Sequence, residues 1–209
     1  MSLTLIVGSK RYSSWSLRPY VALAHTGAAF ECKTILLDTD GTAAAIAKVT
    51  PAGKVPVLHH DGQVIWDSLA ICEYLNELYP AAKLWPTDRA QRARARAISA
   101  EMHSGFAALR RDMSMDIGAS KPGVGHTPEA LADVRRVMAI WREQLAESGG
   151  PFLFGAFTIA DAMFAPVTTR FTTYGVDLDG ACGGYVEAIA GLPAMKQWMA
   201  DARVEPVTR

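Results

Sequence analysis

The sequence predicts a small α/β domain followed by an all-helical one, and three observations carry that prediction. Over the first third, apolar runs of strand length alternate with stretches of helical periodicity. The turn pair Asp61-Gly62 joins two short strands as a hairpin. After the segment YPAAKLWP no strand pattern recurs, and every periodic stretch is helical. Alternation that ends in a hairpin implies a mixed sheet with helices against it. The expected ranges are 1–80 for the α/β domain, 81–86 for a linker bracketed by Pro80 and Pro86, and 87–209 for the helical domain.

Each element has its own signal. LTLIVG reads as a buried strand, and Leu17, Tyr20, Val21, Ala24 and Ala28 then recur at helical spacing. ECKTILL is a second strand and TAAAIAKV a short helix, after which VPVLHH and QVIW form the hairpin. Ile71, Cys72, Leu75, Leu78 and Tyr79 mark one face of a further helix. In the second domain Thr87-Asp88 starts a long helix, whose Ala93, Ala97, Ala100, Ser104 and Ala107 form a small-residue face suited to close packing. Thr127-Pro128-Glu129 places proline in a first turn, and the stripe Leu131, Val134, Met138, Trp141 and Leu145 runs on to Gly149-Gly150.

Half of the 209 residues are hydrophobic, 20% are charged and the formal net charge is +0. That balance supplies no field for nucleic acid or an anionic membrane surface, so neither is an expected partner. No apolar run approaches the roughly 20 residues that span a bilayer, and MSLTLIVGSK has neither the basic start nor the long apolar segment of a secretion signal. Cys32, Cys72 and Cys182 are far apart and form no Cys-x-x-Cys, which reads as reduced thiols in a cytoplasmic protein. His59 and His60 are adjacent on a strand and point to opposite faces, so no metal is expected there.

Three stretches of the first domain converge on one kind of ligand. In KRYSSWSLRPY a helix starting near Ser14 to Ser16 presents free backbone N–H groups and the positive end of its dipole. Ser13 and Ser14 either cap that helix or donate to an anion such as a thiolate. Lowering a thiol pKa by about two units corresponds to roughly 2.7 kcal/mol. In PAGKVPVL, a cis Val55-Pro56 bond leaves the Val55 N–H and C=O free for an extended peptide, and Lys54 stands ready for a carboxylate. An edge-strand proline beside a solvated lysine is the plainer reading. In WDSLAICEYL, Asp67 is a good cap with Trp66 placed to staple against Ile71, while Ser68 and the first-turn amides suit a carboxylate and an ionised Asp67 suits an ammonium. A sulfur site, an open strand edge and a paired carboxylate-and-ammonium site together describe glutathione.

On these residues the chain resembles a glutathione S-transferase along essentially its whole length. The resemblance implies a thioredoxin-like βαβαββα N-terminal domain, a helical bundle, and glutathione as co-substrate. YSSWSLRPYVAL is similar to the serine motif of the zeta class, with Ser13 and Ser14 on its two serines, Arg18 on its arginine, and Trp15 where that class keeps a cysteine. Counting back from Arg18 makes Ser13 the thiolate partner; a register one residue shorter, as in theta-like members, makes it Ser14. The missing cysteine argues against mixed-disulfide chemistry. GKVPVL resembles the cis-proline segment, implying that Val55 and Pro56 meet the cysteinyl backbone, and DSLAI resembles the pair holding the γ-glutamyl end, here Asp67 and Ser68. TIADAMFAP resembles the family's capping box, with Thr158 as cap and Asp161 three residues on.

An acceptor is expected against Trp15 and the first helix of the second domain, at Met102, His103, Phe106, Arg110 and Met113. Met102, Phe106 and Met113 at helical spacing equally suit a core, and Arg110 suits an acceptor carboxylate. The resemblance implies a detoxifying transferase that joins the glutathione thiolate to a small electrophile, in a cytoplasmic homodimer. A glutathione-dependent cis–trans isomerase of maleylacetoacetate- or maleylpyruvate-type acids is the alternative, and a non-enzymatic binding module a third.

Overall fold

β1 (Leu3–Gly8) sits inside a four-stranded sheet ordered β2-β1-β3-β4. It runs parallel to β2 (Glu31–Ile35) and antiparallel to β3 (Val57–His60), which turns back as β4 (Gln63–Trp66). The computed structural model describes residues 2–208; residues 1 and 209, the outer limits of the two expected ranges, lie outside it. Leu5 and Val7 of β1 and Leu58 of β3 are fully buried, as an apolar run in an interior strand requires. α1 (Ser14–His25) follows β1, α2 (Thr42–Ala47) follows β2, and α3 (Ser68–Leu78) follows the hairpin. This is the mixed sheet of a thioredoxin-like domain.

A single 3-10 turn, Pro80–Ala82, leads toward the helical domain. Leu84 and Trp85 are buried between the two, where Leu84 O accepts from Ile159 N and the Trp85 indole donates to Glu73. The second domain contains α4 (Arg89–Ser104), α5 (Ala107–Asp112), α6 (Pro128–Ser148), α7 (Ile159–Tyr174), α8 (Gly180–Gly191) and α9 (Pro193–Val204). Asp88 caps α4 and Thr127 caps α6, which Gly149 closes in a left-handed conformation. α1 packs on α3 on one side and α7 on the other, so one hydrophobic core runs through both domains.

Two expectations for the first helix of this domain are corrected. The helix ends at Ser104, because Gly105 takes an extended conformation and Phe106 a left-handed one (φ 60°). A Cβ on Gly105 would lie 2.7 Å from the Glu101 carbonyl oxygen, so only glycine fits the break. The small-residue face is also not packed within the chain: Ala93, Ala97, Ala100, Ser104 and Ala107 are exposed, and Ala95, Ile98, Ser99 and Met102 are buried instead. Alanine marks a periodicity without marking which side turns inward.

α7 is buried over nearly its whole length, and Asp161 anchors its start. The Asp161 carboxylate accepts from Thr158 N (2.8 Å), Thr158 Oγ1 (3.1 Å), Leu153 N (3.0 Å) and Tyr185 Oη (3.2 Å). Burial pushes its pKa up to about 6, against the pull of those four donors, so it is ionised at neutral pH. Asp161→Ala strands the donors in a dry interior. The expected result is a loss of about 3 kcal/mol of stability in urea-induced unfolding.

Candidate functional site

The turn from β1 into α1 opens onto a cleft of about 480 Å³. Its walls are Ser13 and Trp15 at the start of α1, Leu37 and Ile46, the loop Ala52–Pro56, and Trp66, Asp67 and Ser68 at the entry to α3. Gly8 lets the turn and loop approach each other, since a Cβ there would lie 2.9 Å from Leu37 Cδ1 and 3.0 Å from Val55 Cγ2.

Ser13 is the cap of α1, and the same residue lines the cleft. Its Oγ accepts from Ser16 N (3.3 Å) and donates to Ser16 Oγ (2.8 Å), while Ser16 Oγ accepts from Gly8 N (2.9 Å). Capping and lining the cleft are therefore compatible in this residue. Ser14 behaves differently: it is not a cleft wall, and its buried Oγ accepts from Arg170 Nη2 (3.1 Å).

The Val55-Pro56 peptide bond is cis. Among the described residues, neither the Val55 N–H nor its C=O has a hydrogen-bond partner. Lys54 is exposed at the rim. Asp67 takes φ 73° and caps α3 through Oδ1, which accepts from Leu69 N (2.9 Å) and Ala70 N (3.2 Å). Its Oδ2 lies 3.2 Å from His103 Nε2. Ser68 is buried at the cleft floor, with Arg18 Nη1 3.5 Å from its Oγ. Trp66 is a half-exposed wall of the cleft, while Ile71, its expected staple partner, is fully buried.

The cleft thus offers a hydroxyl on a helix N-terminus, an unpaired strand edge, and a second helix N-terminus with a carboxylate beside it. Residues 12–78 match the family model for the glutathione S-transferase N-terminal domain and residues 89–201 that for its C-terminal domain. The chain belongs to the glutathione S-transferase family. A probable maleylacetoacetate isomerase of Caenorhabditis elegans is 32% identical over 87% of this chain and 86% of its own length. The maleylacetoacetate isomerase of Rattus norvegicus is 31% identical over 79% of this chain and 77% of its own length. Among solved structures, a glutathione transferase homologue from Burkholderia gl BGR1 with bound glutathione superposes with a TM-score of 0.75 at 27% identity, covering 98% of this chain and 100% of that one.

On the second-domain side, this transferase departs from the expected acceptor wall. Met102, Phe106 and Met113 lie in the hydrophobic core and do not line the cleft: Met102 is on the buried face of α4, and Phe106 and Met113 follow the break at Gly105. His103 approaches the cleft wall through both Asp67 and Trp15, and Arg110 through Trp15. The His103 ring meets the Trp15 ring edge-on at 5.1 Å, and the Arg18 and Arg110 guanidinium carbons lie 4.3 Å and 5.0 Å from the Trp15 ring centroid. Arg110 also donates to the carbonyls of Gly105 (3.0 Å) and Met102.

Arg18 is fully buried, and its Nε and Nη2 have no acceptor among the described residues. Burial, with Arg110 and Arg170 nearby, lowers its pKa to about 9, which leaves it charged at neutral pH. Arg170 on α7 is buried as well, with its pKa lowered by burial to about 10, and is missing from the sequence-based candidates. The signal for it is an arginine inside the otherwise apolar and threonine-rich APVTTRFTTY. Arg170 bonds Met113 O (2.6 Å) as well as Ser14. Ser14→Ala removes that acceptor from a buried cation. The expected loss is about 1–2 kcal/mol of stability, read by urea unfolding, with ligand binding in the cleft unchanged.

Proposed function

We propose that this chain binds glutathione in the cleft and holds its sulfur as a thiolate beside Ser13 for attack on an electrophilic carbon. The observation that carries this reading is Ser13, which is at once the cap of α1 and a wall of the cleft. The α1 N-terminus supplies aligned N–H dipoles and Ser13 supplies a hydroxyl donor, both of which favour the anion over the thiol. Ser14, committed to Arg170, serves structure.

Ser16 makes the hydroxyl available. When Ser13 turns its O–H to sulfur, the Ser16 hydroxyl donates to Ser13 Oγ in its place, and Gly8 N continues to fix Ser16 Oγ. Ser13 then accepts twice from Ser16 while donating once, which strengthens its donated bond. The thiol proton leaves to solvent, and the thiolate forms the new C–S bond as the carbon releases a leaving group with its bonding pair. At a conjugated double bond, the π pair instead moves onto the conjugated oxygen and is protonated from solvent. Val55 pairs with the cysteinyl backbone, Asp67 takes the γ-glutamyl ammonium, Ser68 and the α3 amides take its carboxylate, and Lys54 meets the glycyl end.

A second reading is favoured by the isomerase names of the relatives and by the cations Arg18, Arg110 and Arg170, whose fields overlap near the α1 N-terminus. In it the thiolate adds to a carbon–carbon double bond conjugated to a carbonyl, the resulting single bond rotates, and the C–S bond breaks to return glutathione. Turnover of maleylacetone-like acids separates the two readings. The exposed small-residue face of α4, with Val64 and Trp66 exposed on β4, suits a homodimer, and light scattering at twice the chain mass is the expected result. A cytoplasmic location accords with the three free cysteines.

Thiolate absorbance of bound glutathione, titrated against pH, tests the reading. The expected thiol pKa lies about two units below its solution value in the wild type and returns to it in Ser13→Ala. An unshifted wild-type pKa would sink the proposal.

Affinity for glutathione has its own pH dependence. Burial holds the His103 pKa below its ordinary value, so at neutral pH the imidazole is uncharged, with its Nε2 3.2 Å from Asp67 Oδ2. As pH falls below that lowered pKa, His103 gains a charge that competes with the ammonium for Asp67. Glutathione affinity should fall through that range in the wild type and stay level in His103→Gln, as calorimetric titration would reveal.

A further inference from the structure

The turn that carries Ser13 is tied to residues almost 200 positions away. Its main chain leaves β1 at Ser9, whose carbonyl accepts from Tyr12 N (3.1 Å) and Ser13 N (2.8 Å). Within that turn the N–H groups of Lys10 and Arg11 point away from the cleft. Each donates to one oxygen of the Glu205 carboxylate, at 3.0 Å and 3.1 Å, and neither has another acceptor among the described residues. Two successive N–H groups aimed at one carboxylate form a small anion nest. The neighbouring bonds come from α9, whose C-cap is Glu205: the Trp198 indole donates to Lys10 O (2.8 Å), and Lys10 Nζ pairs with Asp201.

From these contacts we infer that Glu205 is a positioning residue for Ser13, holding the catalytic turn at the register in which its hydroxyl meets sulfur. The inference rests on the thiolate reading above. The turn has few alternatives for those two N–H groups. Ser9 Oγ is occupied by Leu37 N, and Arg11 O by Ile117 N. Without the carboxylate the turn loses the acceptor that adjacent donors, three residues or fewer from Ser13, have among the described residues. A donated hydrogen bond to sulfur tolerates displacement of only about 0.5 Å before it weakens.

Charge and position make opposite predictions for this residue. Removing a negative charge near the sulfur would, by itself, favour a thiolate and lower the thiol pKa. Loosening the turn withdraws the Ser13 donor and raises it. The test is the thiol pKa of bound glutathione in Glu205→Ala and in the isosteric Glu205→Gln, with the glutathione dissociation constant measured beside it.

The expected result is a rise of about one pKa unit in Glu205→Ala, a tenfold smaller thiolate-to-thiol ratio. Glu205→Gln, which keeps one accepting oxygen, should show a smaller rise. The dissociation constant should stay within about twofold, because Val55, Asp67 and Ser68 are untouched. An unchanged or lowered pKa in the folded variants would overturn the inference, and Glu205→Gln decides alone should Glu205→Ala not fold. An unshifted pKa in the wild type would instead remove the thiolate reading itself.

Discussion

A helix that starts on a cleft aims its unpaired N–H groups at whatever fills the cleft, and α1 starts there because Ser13 caps it. That cap position fixes much else. It requires a turn of a few residues between β1 and α1, a glycine at the end of β1 so that Leu37 and Val55 can come close, and a second hydroxyl, Ser16, to complete the hydrogen bonding. It also explains why so many buried cations surround this end of the molecule. Arg18 and Arg170 carry their charge into a dry interior, with only neutral oxygens as hydrogen-bond partners among the described residues. An isolated charge in such a place is unfavourable, and an anion in the cleft offsets part of that cost.

The first domain is legible in the sequence because its signals are chemical as well as periodic. Ser13, Val55-Pro56 and Asp67-Ser68 each occupy a position where backbone groups are free, and only a few residue types suit such positions. The order of strands and helices follows from period alone, and β1 to α3 fall where the apolar runs place them. The hairpin turn at Asp61-Gly62 is read from two residues, and both take positive φ.

The second domain is less legible, for physical reasons. Phe106 in a left-handed conformation has no propensity signal, since it is held there by packing and not by its own preference. The continuous helix that the pattern suggests is therefore two, and Met102, Phe106 and Met113 pass from the expected acceptor wall into the core. Arg170 is invisible to any reading that assigns charged residues to surfaces. The Lys10–Glu205 contact cannot be read from sequence at all, because nothing local to either residue specifies the other.

The separation of 195 and 194 residues across the two Glu205 bonds has a consequence for biosynthesis. The α/β domain can emerge from the ribosome and pair its four strands long before α9 exists. The Val55-Pro56 loop and the start of α3, the proposed peptide and γ-glutamyl sites, are complete at that stage, whereas the β1–α1 turn still lacks the residues that clasp it. On the proposed reading, the nascent chain would thus acquire a place for the tripeptide first and an activated sulfur only afterwards, once the helical domain has closed behind α1.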